Sequence, residues 1–281
     1  MDRKRLTITL RQDLLPRIDE VIDGSRIRNR SHAIEYLLSQ SLGASINKAF
    51  ILAGGRGIKM RPLTYEIPKS LLPINGKPIL EYTIQSLRDS GFKDIYILIG
   101  HLGDKIVTHF GDGSRFGVKI TYINEKKELG TAAPLTYVEK YLKRSPFIMM
   151  YGDVLADINI DDFVDTHKSH SGLATVAVTS SAKPQEFGVV RLHGNRIVSF
   201  NEKPQGKKNV SHFINAGMFV FNPEIFKYVP KRGQAMLEFD VFPRLAREGK
   251  LYSHPFSGQW YDVGTPAIYE EALREWKKRR S

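Results

Sequence analysis

From residue 48 onward, short apolar and β-branched runs alternate with longer stretches of helical character. The runs lie at 49–53, 95–99 (IYILI), 118–123 (VKITYI), 147–151 (FIMMY) and 174–178 (ATVAV), with helical stretches between several of them, such as 78–90 and 132–143. An apolar run of that length fits a strand buried on both faces. Strands alternating with helices predict an α/β chain with a largely parallel, doubly wound sheet. Residues 187–200 (FGVVRLHGNRIVSF) break the alternation: two strands flank HGN and predict an antiparallel hairpin. Residues 266–280 predict a final, partly amphipathic helix. With 281 residues, 41% of them hydrophobic, the chain can build a packed core.

The first 43 residues follow another pattern. RLTITLR (5–11) alternates with a period of two, placing Leu6, Ile8 and Leu10 on one face of a strand. Leu14, Leu15, Ile18, Val21 and Ile22 recur at helical spacing, and Gly24 ends that helix. Ser31 is the expected cap of a second helix with Ala33, Ile34, Leu37, Leu38 and Leu42 on its apolar face; Gly43 closes it. One strand and two short helices cannot bury a core alone, and the strand has two open edges. A second copy, paired strand to strand, answers both needs.

Over residues 3–43 the chain resembles the ribbon-helix-helix family of dimeric DNA-binding domains. The resemblance implies a homodimer through an antiparallel ribbon. It places Arg5, Thr7 and Thr9 at base edges of double-stranded DNA, and the amide end of the second helix, near Asn29 to Ser31, at a phosphate. Arg suits guanine, and Thr suits a thymine methyl or an acceptor. A unit that only dimerises the chain is the alternative. The net charge of residues 1–43 is only +2, although the whole chain carries +12 and suggests anionic partners. A solvated basic surface explains those charges equally well.

Cysteine is absent, which removes disulfides, thiolate metal sites and cysteine nucleophiles and fits a reducing cytoplasm. The basic N-terminus lacks a long apolar segment, so no secretory signal is expected. No apolar run approaches the ~20 residues of a membrane helix, so no membrane partner is expected.

Residues 44–47 read as a linker. Behind it, KAFILAGGRGIKMRPLTYEIPKS empties a strand into a glycine turn bearing Arg56, Lys59, Arg61 and Lys69. Ligands of open α/β sheets bind at the carboxyl ends of strands, and glycines let backbone amides approach an anion. The turn is neither G-x-x-x-x-G-K-[ST] nor G-x-G-x-x-G, which disfavours a P-loop and a dinucleotide fold.

LAGGRGIKMRPLT…PKSLLPINGKPILEY is followed in order by ELGTAAPL (128–135), YGDVL (151–155), FGVV (187–190), FNEKP (200–204), NAGMFVF (215–221) and WYDVGTP (260–266). Together, from about 48 to 270, they resemble the sugar-1-phosphate nucleotidyltransferases. The resemblance implies a Rossmann-like nucleotidyltransferase fold over 48–281, and NTP and sugar 1-phosphate as substrates. It implies Mg²⁺ held by Asp153 and Asp262, and Lys59 and Lys69 beside the phosphates. Lys203 would hold the sugar phosphate. Glu202 and Asn215 would meet the sugar, and Ala53, Gly54, Gly55, Gly57 and Gly130 the nucleotide. Without the motifs, each aspartate reads as a turn or cap residue.

Three positions depart from the family. Ile58 replaces a threonine, Lys59 replaces an arginine and loses its planar fork, and Ala133 stands where glycine is common. The departures leave three readings: an enzyme of full activity, an enzyme of impaired activity, or a repressor whose former enzyme domain senses a nucleotide or NDP-sugar without turnover. The Gly130 region is similar to guanylyltransferases acting on mannose 1-phosphate; glucose and other sugars, and UTP, dTTP or CTP, stay open.

Overall fold

A computed structural model of the chain describes residues 7–24, 27–41, 46–205 and 211–277. It forms two compact units, Met1–Ser45 and Ile46–Ser281.

In the N-terminal unit a 3-10 turn (Gln12–Leu14) leads into helix α1 (Leu15–Asp19), and α2 spans Arg30–Ser41. The cap of α2 is Asn29, not Ser31. Asn29 Oδ1 accepts the His32 N–H at 2.9 Å, and the Asn29 carbonyl accepts Ala33 N–H, so Ser31 already lies inside the first turn. Arg30 ties the start of α2 to α1 by a two-point contact with Asp19, both N–O distances 2.7 Å. Ile18, Ile27 and Ala33 form a small core, with Leu10 and Ile34 against it. Ile8, Leu37 and Leu38, on the expected apolar faces, stay exposed in the single chain. Among the described residues, 7–11 have no strand partner, so the expected strand is not formed within this chain. A ladder needs a second strand, which a single copy does not supply. Thr7 and Thr9 are exposed; Arg5, Leu6, Leu42 and Gly43 fall outside the described residues.

The larger unit is built on nine strands. In chain order these are β1 (Lys48–Leu52), β2 (Asp94–Ile99), β3 (Lys119–Asn124), β4 (Phe147–Tyr151), β5 (Ala174–Ser180), β6 (Gly188–His193), β7 (Arg196–Glu202), β8 (Phe213–Phe221) and β9 (Leu251–Pro255). They lie in the order β3-β2-β1-β4-β8-β5-β9-β7-β6. The strands β3, β2, β1 and β4 are mutually parallel, as are β5 and β9. The expectation of a mostly parallel sheet fails beyond them. β8 runs antiparallel to both β4 and β5, and the β6–β7 hairpin pairs antiparallel to itself and, through β7, to β9. The apolar composition of β8 (FINAGMFVF) reports burial, not direction, which is why the sequence pattern missed the insertion.

Side chains alternate across the sheet. Phe50, Met149 and Phe219 enter one core, while Ala49, Ile51, Ile148 and Met150 enter the other. Ile46 joins the second core, and Asn47 O accepts Lys93 N–H, so both belong to this unit and not to a linker. Helices Ile79–Asp89 and Leu135–Leu142 stand where the pattern placed them. The last helix, Pro266–Glu275, is capped by Thr265 and ends earlier than expected. No helix among the described residues is long and apolar enough to cross a membrane.

Candidate functional site

Because β1 and β4 are parallel neighbours, the loops after them leave on the same side. One loop begins Ala53-Gly54-Gly55-Arg56-Gly57; the other is Gly152-Asp153. Two short strands, Val154–Ala156 and Trp260–Asp262, then pair antiparallel with Asp262 opposite Val154. Val263 N donates to Asp153 O at 3.0 Å. This pairing sets Asp153 and Asp262 side by side although they are far apart in sequence.

Their charges interact. Burial, and then the Asp153 charge, push the Asp262 carboxyl up to about 6, against the pull of Lys69, Lys203 and Lys59. Lys69 Nζ forms an ion pair with Asp153 Oδ2. Burial alone would lower the Lys69 ammonium, but the two aspartates outweigh it and its pKa is raised.

The glycine turn aims Lys59 at the same place. Gly57 adopts φ +61°, and a Cβ there would sit 2.8 Å from Thr64 Cγ2. Thr64 Oγ1 donates to Gly57 O at 2.7 Å and holds the turn against Ile58–Met60. A cavity of about 650 Å³ results, walled by Arg56, Lys59, Lys69, Lys203, Asp153 and Asp262. Gly57 and the exposed Ile58 lie on it as well.

A second cavity of about 320 Å³ adjoins it, sharing Glu128, Tyr151 and Asp153. Gly54, Gly55 and Gly130 line this one. At Gly130, φ is +92° and a Cβ would lie 2.4 Å from Ala235 O, so only glycine fits. Ala132 and Ala133 both donate their N–H to that carbonyl. Ala133 is buried in the core, so its methyl leaves the cavities unchanged.

The remaining expected residues are placed differently. Ala53 is buried in the core, its N–H donated to Leu98 O. Asn215 is buried, and its Oδ1 accepts the Gly217 N–H at 2.9 Å in an irregular part of β8. Glu202 is largely buried beside Lys203 Nζ at 3.4 Å. Burial, and then the Glu238 charge, raise its pKa. None of the three lines either cavity.

Sequence reading missed Glu238. This buried carboxylate accepts the hydroxyls of Tyr151 (at Oε1) and Thr131 (at Oε2, 2.6 Å). Thr131 Oγ1 in turn accepts Leu237 N–H. The network joins the Gly130 loop to Tyr151, which lines both cavities. A lone glutamate between apolar Leu237 and Phe239 was the available signal.

Residues 48–279 match the nucleotidyl transferase family model. The chain belongs to that family. The UTP–glucose-1-phosphate uridylyltransferase of Synechocystis is 35% identical over 244 residues, covering 81% of this chain and 62% of that protein. The mannose-1-phosphate guanylyltransferase catalytic subunit beta of Danio rerio is 36% identical over 245 residues, covering 83% and 67%. This nucleotidyl transferase chain thus spans about three fifths to two thirds of those relatives. A Bacillus anthracis crystal structure, described as a glucose-1-phosphate thymidylyltransferase in complex with sucrose, superimposes with a TM-score of 0.75 at 28% identity. The match covers 82% of this chain and 97% of that one.

Proposed function

We propose that this nucleotidyl transferase moves a nucleotidyl group from an NTP to a sugar 1-phosphate. A phosphate oxygen of the sugar 1-phosphate attacks the α-phosphorus. The bond to the β-phosphate oxygen breaks, and pyrophosphate leaves with that electron pair. The nucleophile is already an anion, so no general base is required. Positioning and neutralisation of charge remain for the protein. The observation that carries the reading is the convergence of Asp153, Asp262, Lys59, Lys69 and Lys203 on one cavity.

Lys59 and Lys69 neutralise the departing pyrophosphate, and Lys203 holds the sugar phosphate. Asp153 and Asp262 fit Mg²⁺. They are two adjacent carboxylates whose mutual repulsion raises Asp262, and no third carboxylate or histidine joins them among the described residues. Mg²⁺ commonly takes one or two carboxylates, substrate phosphates and waters. When bound, the ion neutralises phosphate charge and polarises the reacting phosphorus.

Pyrophosphate release tests the reading, using purified protein with Mg²⁺ across a panel of NTPs and sugar 1-phosphates. At least one pair is expected to release pyrophosphate; none doing so overturns it. The sensing alternative rests on Ile58 and Lys59, yet Lys59 keeps its charge at the cavity wall. Turnover that Asp153→Asn abolishes excludes that alternative.

For the N-terminal unit the reading is a homodimer that binds DNA through Arg5, Thr7 and Thr9. Its support is the small core with Ile8, Leu37 and Leu38 exposed, a surface a second copy would cover. A monomer by light scattering, or no salt-sensitive DNA binding, would remove the corresponding part. A cytoplasmic location belongs to the same reading.

A further inference from the structure

The smaller cavity differs from its neighbour in charge. Its described wall holds Glu125, Glu128 and Asp153 but no lysine, arginine or histidine. A triphosphate is repelled there and drawn to the cationic cavity beside it. The smaller cavity is left for the uncharged base, between Leu52 and Leu98 and the glycine backbone.

The three carboxylates are not equivalent. Asp153 is paired with Lys69. Glu128 Oε1 accepts the Arg56 N–H at 3.2 Å, with the guanidinium at 3.7 Å. Glu125 is fixed by the sheet: it directly follows β3, and its N–H binds Ile99 O at 2.8 Å. Its Oε1 accepts the Leu129 N–H at 3.0 Å, and its Oε2 lies against Gly54, 3.2 Å from where a Cβ would stand. Glu125 therefore lines the base cavity with a carboxylate held in place, its two oxygens being acceptors only.

Among nucleobases, guanine offers two adjacent donors, N1–H and the N2 amino group. Uracil and thymine offer one N–H between two carbonyls. Adenine and cytosine offer an amino group beside a ring nitrogen that accepts. Each of these sets a lone pair against a carboxylate oxygen. We propose that the smaller cavity takes guanine, and that Glu125 selects it by accepting N1–H and N2–H. This rests on the nucleotidyl-transfer reading above.

Calorimetric binding of GTP, ITP, UTP and dTTP in Mg²⁺ is the test. ITP keeps N1–H and lacks the amino group, so the wild-type comparison needs no variant. GTP is expected to bind about 10-fold more tightly than ITP, since hydrogen bonds to charged groups are the stronger kind. UTP and dTTP are expected to be about 100-fold weaker than GTP, because they leave polar groups unmatched. Glu125→Gln carries one acceptor and one donor, which matches uracil. Its GTP-to-UTP preference is expected to fall at least about 10-fold, with an unchanged melting profile showing that it folds. UTP or dTTP bound as tightly as GTP overturns the assignment, as does ITP equal to GTP or an unchanged preference in Glu125→Gln. Pyrophosphate release from UTP alone refutes guanine while leaving nucleotidyl transfer standing. No binding of any NTP removes both.

Discussion

Two carboxylate groupings flank Tyr151 at the end of β4, and the protein keeps them by opposite means. On the cavity side, Asp153 and Asp262 stand together with a lysine as their nearest answer, and Asp262 is pushed up to about 6. Behind it, the buried Glu238 is answered by two hydroxyls, from Tyr151 and Thr131. The first arrangement leaves charge to be neutralised by something that binds. The second is complete within the chain. A strained carboxylate pair in a cleft marks function, whereas a satisfied buried one marks architecture.

The same chemical change should therefore act oppositely on the two groupings. Asp153→Asn is expected to lower pyrophosphate release by about 10³-fold or more, the scale of losing a key charge-positioning group. Steady-state kinetics reads this, with thermal melting showing the fold intact. Retained turnover breaks the contrast.

A second expectation assigns acid sensitivity to neither grouping. His167 and His170 both contact Thr175 Oγ1, at 2.7 and 2.9 Å, and burial pushes each down to about 4. A histidine held below its unfolded value of 6.5 binds fewer protons when folded. Stability is therefore full above pH 6.5 and falls as the pH drops from 6.5 toward 4. For the buried His167 the loss reaches about 3 kcal/mol. The Asp262 carboxyl, raised to about 6, slopes the other way over the same window. Denaturant midpoints against pH are therefore read in Asp262→Asn, where they should show this loss, flattened when His167→Asn is added; a flat Asp262→Asn profile contradicts it.

Glu238→Gln is expected to cost about 1–2 kcal/mol, because an amide offers a donor where two hydroxyls need acceptors. Urea unfolding measures it. Asp262→Asn is expected to do the reverse and raise metal-free stability by about 1 kcal/mol, through relief of like charge. Matching losses in both variants would erase the distinction.

The parallel half of the sheet was legible, because β1, β2 and β4 are apolar runs buried on both faces, while the half-exposed edge strand β3 was marked by its β-branched and aromatic residues. The insertion of β8 between β4 and β5 was not, since strand direction follows from connections and not from composition. At the site, Lys59, Asp153, Lys203 and Asp262 stood in quotable motifs and do share one cavity. Ala53 and Asn215 stood in motifs too, yet their side chains serve the core and a β8 irregularity. Glu238 carried only the faint signal of a charge between apolar neighbours, because its partners Tyr151 and Thr131 lie 87 and 107 positions away. In the N-terminal unit, periodicity found both helices but ran α1 on to Gly24, whereas it ends at Asp19 and leaves Val21 and Ile22 outside, and it put the α2 cap at Ser31 instead of Asn29, two residues off.

The central claim is that Asp153 and Asp262 act as one cation site. Binding of Mn²⁺, a paramagnetic stand-in for Mg²⁺, in the presence of NTP and read by electron paramagnetic resonance, tests it most directly. One tight site is predicted in the wild type, weakened about tenfold or more by either Asp→Asn change, with the double variant little worse than each single. Unchanged binding in either variant, or strictly additive losses, would contradict the account.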